Sequence, residues 1–264
     1  MTLKSGIAFV GALVALLLIA VFYFVVGIGW IMAGVVVGIG LVSYIVAAIG
    51  VGSGSSLTSF GEFMRGWLIG LNAALNGFLA FSIVALLAGA AAGAGAGVAL
   101  GSLNLLTVFA PLSQSELYQG FLGWTNWLMP MSWPIVVLGL LFYIVSFLVH
   151  GVTGGKVPYL RVEKLGADWK TGTFFMRGGL IANLNYLDTA FNMGDFSFVD
   201  YKSGEWHKEH EAGHTLNLAA FGCVFHLVGA FDENATPRGA NALSERLAES
   251  NASGTNGSNI PMWA

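Results

Sequence analysis

Apolar residues fall in this chain in long unbroken runs rather than at the spacing of an amphipathic helix or strand. Residues 6–29 and 31–51 carry no charge, and each run supplies the roughly 20 residues a helix needs to cross a hydrocarbon core. The Gly27-Ile28-Gly29-Trp30 connection between them predicts an antiparallel hairpin with Trp30 at the membrane interface. A third run, 67–88, dissolves into the glycine and alanine stretch 89–97, whose small residues permit close helix approach in lipid. A fourth run, 134–149, ends at His150. Lys4 ahead of the first run mimics a secretory leader, but that run is long and flows into a second span, so cleavage is not expected.

Beyond residue 151 the pattern changes. Segments 171–179 and 194–201 cluster aromatic and β-branched residues between glycines and predict two short strands or a hairpin-like element. The Asn-rich stretch 180–191 between them predicts a weak helix or loop. Ser203 is placed to cap a helix that runs from Glu205 to about Gly222, interrupted only by Gly213. The expected fold is therefore mainly α: a polytopic membrane region of about four helices over 1–150, followed by a C-terminal α+β region over 151–264.

Composition sharpens this division. Of 264 residues 56% are hydrophobic and 9% charged, against about 25% charged in an ordinary soluble domain. Only Lys4, Glu62, Arg65 and Glu116 carry charge in the first 150 residues; the other 21 charged residues lie beyond them. Basic residues lie at Lys4, within 52–65 and after the fourth run, and none lies in 101–133. That asymmetry predicts a cytoplasmic N-terminus and a cytoplasmic C-terminal region, with 101–133 on the opposite face and Trp124, Trp127 and Trp133 in its interfacial belt. A net charge of −3 with 11 basic residues leaves no basic stripe for phosphates, which excludes a nucleic-acid binder. Cys223 stands alone, which excludes a disulfide scaffold and reads as small buried filler. The glycosylation-type triplets at Asn234, Asn251 and Asn256 carry no meaning on a cytoplasmic segment, and the polar stretch 249–258 predicts disorder.

The helix after Ser203 carries His210-Glu211-Ala212-Gly213-His214, an HExxH motif. Residues four apart sit one turn apart on a single helix face, so two imidazoles can converge on one zinc ion while the intervening glutamate reaches the water the metal activates. His207 shares that face, but about 10 Å of rise separates it from His214, too far for both to bind one ion at about 2 Å. It reads as a supporting or solvent-facing residue.

On this motif the chain resembles the zincin metalloprotease superfamily and, in the HExGH form, its membrane-embedded members. The likeness covers about residues 190–250. Lys208 departs from the extended zincin pattern, which has an uncharged residue there, whereas Ala212, Gly213 and Leu216 fit it. Ser244-Glu245-Arg246-Leu247-Ala248-Glu249 resembles the segment that supplies a glutamate ligand in glutamate-type zincins, with Glu249 in place of the usual Asp. The resemblance implies Zn2+ held by His210, His214 and Glu245; Asp232, Glu233 and His226 are rival third ligands. The downstream Asp-Gly motif of site-two proteases is absent.

Residues 215–231 contain no charge, and at that length they sit at the short edge of a span. They read either as a buried core helix or as a membrane-inserted one, in which Asn217 and His226 would face a cavity. The expectation is a site at the membrane surface, its helix packed on or partly into the bilayer. The function implied is that of an integral membrane zinc metalloprotease, with Glu211 as general base and a peptide or protein substrate laid along strand 196–201. The lipid bilayer and other membrane subunits are the expected partners. From a different class, the alternative is a non-catalytic structural subunit of a membrane assembly that keeps a zincin-like fold. A channel or transporter is disfavoured, because the runs hold no charge to form an ion path.

Overall fold

The computed structural model describes residues 3–52, 54, 56–184, 190–202, 207–252 and 260–263. Four long helices open the chain: α1 (Leu3–Val26), α2 (Trp30–Val51), α3 (Ser59–Ala88) and α4 (Ala90–Leu105). The first three match the expected runs, α3 starting earlier at a Thr58 cap whose hydroxyl accepts from Gly61 N–H. The glycine and alanine stretch, expected only to allow close approach, is itself a helix. It forms α4, which folds back along α3 with Gly97 against the Gly77 carbonyl and Gly101 against that of Ala73. Small residues on both helices remove the side chains that would hold the backbones apart.

With that extra helix, 101–133 begins at the end of the helical layer where α1 and α3 start, while Met131 near its close lies against Asn76 further along α3. Gly66 and Gly70 of α3 lie against Ala8 and Ala12, so α1 runs parallel to α3, and α4 returns to the end from which both start. Phe109 accordingly stacks on Phe9 at 5.8 Å, so the segment after α4 begins at the same end of the helical layer as the N-terminus. Arg65 also departs from its reading as a loop charge. It is buried on α3, paired to Glu62 at 3.0 Å, and it donates to the Thr107 and Val108 carbonyls that end α4's extension.

Short helices α5 (Ala110–Ser113) and α6 (Glu116–Trp124) lead to α7 (Trp133–Thr153). Trp124, Trp127 and Trp133 are each a little over a third exposed, Trp124 stacking on Trp169 and Trp127 packing edge-on against Phe196. Four strands come next: β1 (Val162–Asp168), β2 (Thr173–Gly178), β3 (Ala190–Met193) and β4 (Phe196–Val199), with α8 (Leu180–Leu184) after β2. The sheet order is β1-β2-β4-β3. The two expected strands are β2 and β4, but they pair in parallel, Phe174 opposite Phe196 and Arg177 opposite Val199, rather than as a hairpin. β4 is paired on both sides, so the edge strands are β1 and β3 and segment 196–201 is not an edge. One face of the sheet packs on α7, where Phe196 and Phe198 meet Tyr143.

The last elements are α9 (Lys208–Ala235) and α10 (Leu243–Glu249). The expected cap Ser203 lies outside the described residues, and His207 occupies the N-cap position with φ 42, exposed and making no side-chain cap. Six helices, α9 included, are long and apolar enough to cross a membrane among the described residues. α9 is nevertheless not one rod. Gly222 adopts φ 81 and ψ 177, a conformation open essentially only to glycine. Twelve residues of straight helix rise about 18 Å, yet the His214 and His226 ring centroids stand 6.4 Å apart. The helix folds back on itself at Gly222 into a hairpin whose arms, at about 20 Å each, are too short to cross a bilayer core.

The hairpin tip is lodged among the long helices. Asn72 Nδ2 donates to the Ala219 carbonyl at 3.0 Å and Asn104 Nδ2 to the same carbonyl at 2.7 Å. The Cys223 N–H donates to the Met131 carbonyl at 3.0 Å, and Asn76 Oδ1 accepts from the Met131 N–H. These buried amides satisfy the backbone groups that the break releases, which is the condition for irregular backbone inside an apolar layer. Cys223, expected as buried filler, is only half-buried there, against apolar neighbours. On the second arm, Val224 meets Gly40 in the middle of α2, and Asp232 accepts from Tyr44.

Candidate metal centre

Folding α9 back creates a cavity of about 220 Å3 between its arms, closed by β3 on one side and α10 on the other. His210 and His214 look into it from the first arm, His226 and Glu233 from the second, and Glu245 from α10. α10 comes close because the motif's fourth residue is glycine. A Cβ on Gly213 would stand 2.3 Å from the Ala248 carbonyl oxygen, and one on Gly229 would stand 2.5 Å from Ser244 Cβ. Both arms therefore offer α10 a bare backbone, and its inward residues Glu245 and Glu249, one turn apart, meet the histidines.

Three donor atoms converge. His210 Nε2 lies 3.1 Å and His214 Nε2 3.3 Å from Glu245 Oε2, and the two imidazole nitrogens are 3.2 Å apart. A tetrahedral zinc with bonds of 2.0–2.1 Å separates its donors by about 3.3 Å, so this triangle has the size of one face of such a site. Two nitrogens and one carboxylate oxygen are also a donor set that suits zinc and leaves a position for water. His210 Nδ1 donates to Glu249 Oε2 at 2.9 Å, which fixes the ring and turns Nε2 toward the other donors. Burial alone would favour the neutral form of Glu245, but His214 and His210 outweigh it and hold the carboxyl well below the usual carboxylate range.

The rivals for the third position are occupied elsewhere or stand apart. Asp232 accepts from Tyr44 at 3.0 Å, from Arg238 at 3.1 Å and from Thr236 at 3.0 Å, anchoring the end of α9 to α2. Glu233 lies at the cavity wall beside Asn234. His226 Nε2 donates to the Asn192 carbonyl at 3.0 Å and is not part of the metal-sized cluster. Glu211 is buried, 3% exposed, in the wall beside His210.

Asn192 was not read from the sequence, and Asn217, expected only to face a cavity, has a further role. Asn192 of β3 donates through Nδ2 to the Glu211 carbonyl at 3.1 Å and to Thr215 Oγ1 at 3.2 Å, while its own carbonyl takes His226. It pins the edge strand to both arms. Asn217 lines the cavity one turn beyond His214 and donates to the Ser244 carbonyl at 3.0 Å. Behind the first arm, Asp195 takes a 2.8 Å hydrogen bond from Asn126, and burial pushes its carboxyl up to about 8. No family model, curated protein or solved structure matches the chain.

Proposed function

We propose that this chain is a membrane-embedded zinc hydrolase of the metallopeptidase type. The observation that carries the reading is the convergence of His210 Nε2, His214 Nε2 and Glu245 Oε2 within 3.3 Å of one another, with Glu211 in the wall of the same cavity. His210, His214 and Glu245 would hold the ion. When bound, zinc supplies Lewis acidity and lowers the pKa of a water toward 7. The chain's own residues do the rest. Glu211 takes a proton from the attacking water and returns it to the leaving group. Glu249 holds His210 in one orientation, and Asn192 holds the Glu211 backbone against the edge strand. The closing of α10 over the arms limits access by bulk water.

β3 is an edge strand that lines the cavity, so an extended peptide laid there would lie beside it, with the Asn192 carbonyl already taken by His226. Phe191, Met193, Phe225 and Ala230 make the walls largely apolar.

Glu211→Gln keeps the shape of the side chain and removes the base. The expected result is an unchanged zinc content with peptide hydrolysis reduced at least about 100-fold, a loss typical of a missing general base. Metal analysis beside a fluorogenic peptide assay checks it. Unchanged cellular function of this variant would instead favour a structural subunit that uses its metal only to hold the fold.

A further inference from the structure

Residues 260–263 are not ligands and lie outside the cavity, yet they are built into its support. Ile260, Met262 and Trp263 are each at most 3% exposed. The segment is tied to three elements: Ile260 N–H donates to the Arg246 carbonyl of α10, Trp263 N–H to Ser250 Oγ, and Gln119 of α6 donates to the Trp263 carbonyl. The Trp263 indole N–H donates to Asn217 Oδ1 at 2.9 Å.

An indole N–H can only donate. It therefore fixes which end of the Asn217 amide faces it: Oδ1 turns to Trp263, and Nδ2 is left to donate to the Ser244 carbonyl at 3.0 Å. Ser244 immediately precedes Glu245. A run of hydrogen bonds thus passes from Trp263 through Asn217 to the backbone from which the carboxylate ligand projects. α10 has only two turns, too few for a helix to hold itself in water, so its position depends on what packs against it. The arms of α9 pack on it, and the 260–263 segment ties to its Arg246 carbonyl, to Ser250 just beyond it and to Asn217 of the first arm.

We infer that Trp263 and Asn217 are positioning residues for the metal centre, setting zinc affinity by holding α10, and with it Glu245 and Glu249, against the histidines. The inference rests on the zinc reading above and extends it to residues that no ligand motif contains. Supporting partners of metal ligands typically change affinity by about 10- to 100-fold when removed.

The test uses the full chain in lipid nanodiscs, with zinc affinity measured by competition against a chromophoric chelator and ligand geometry followed by the visible spectrum of bound Co2+. Trp263→Phe keeps the buried ring and removes the orienting N–H; Asn217→Leu removes the amide both partners use. Each is expected to weaken zinc binding about tenfold and to alter the Co2+ spectrum. The double variant is expected to be no weaker than the worse single one, because both act through one chain of hydrogen bonds. Affinities within about twofold of wild type for the single variants, or losses that multiply in the double variant, would overturn the inference while leaving the zinc reading intact. Should Trp263→Phe fail to fold, Asn217→Leu alone decides by the same threshold. A wild-type chain that binds no zinc overturns both.

Discussion

On the proposed zinc reading, Gly213→Ala is expected to abolish zinc binding while leaving His210 and His214 in place. The added methyl would sit 2.3 Å from the Ala248 carbonyl oxygen and 2.7 Å from its Cα, backbone atoms that cannot rotate away. Relief requires α10 to move off the first arm, and that withdraws Glu245 and Glu249 together. Overpacking of this kind costs about 1–3 kcal/mol. The larger effect is on zinc, where loss of the carboxylate ligand and of the group that orients His210 is expected to weaken binding by at least about 100-fold. Zinc titration of the purified variant checks this, with helix content by circular dichroism as a control. An alanine variant that binds zinc as tightly as wild type would show that α10 need not approach the arm.

Gly222→Ala is the second large effect and acts at the other end of the hairpin. The φ 81, ψ 177 conformation costs a residue with a side chain about 1–3 kcal/mol. Its Cβ would also press on Asn72 Oδ1 at 2.4 Å, an atom held in place by Asn76 Nδ2 at 3.1 Å. Together these oppose the fold-back by about 2–6 kcal/mol, a large share of the roughly 5–15 kcal/mol that holds a typical domain together. A straightened α9 would carry His226 and Asp232 away from their partners. The expected outcome is a sharply lower unfolding temperature in detergent and greater protease sensitivity after residue 207. Wild-type stability would contradict the fold-back.

The long helices were legible because apolar runs without charge have few other uses. α4 was less so: glycine and alanine are weakly hydrophobic, and nothing in 89–97 distinguishes a packed helix from a linker until Gly77 and Gly101 are seen to face each other. That helix returns along α3, so the segment after it begins beside the start of α1 rather than at the far end of α3. In the sheet, β2 and β4 announced themselves by aromatic residues between glycines. β3 is four residues in an Asn-rich stretch, and β1 alternates only partly, so both owe their state to pairing rather than to pattern.

The site was legible where spacing carries chemistry. His210 and His214 one turn apart, and Glu245 and Glu249 one turn apart, are local patterns, and the structure brings the two pairs together. The fold-back was not legible, because one glycine inside a run without charge, 215–231, reads as continuous helix. Its signals are distant: Asn72, Asn76 and Asn104 on the long helices, polar residues inside apolar runs whose partners are the backbone groups at the break. The tip reaches the middle of α2 and α3, among the helices best able to cross a bilayer, as a helix packed partly into that layer would.

The most direct measurement is X-ray absorption at the zinc edge on the full-length protein, with metal content determined on the same sample and on His210→Ala. The account predicts one zinc per chain, bound through two imidazole nitrogens and oxygen with no sulfur, and its loss from His210→Ala. A protein that purifies without zinc and takes up none, or whose zinc survives the substitution in the same coordination, would contradict it.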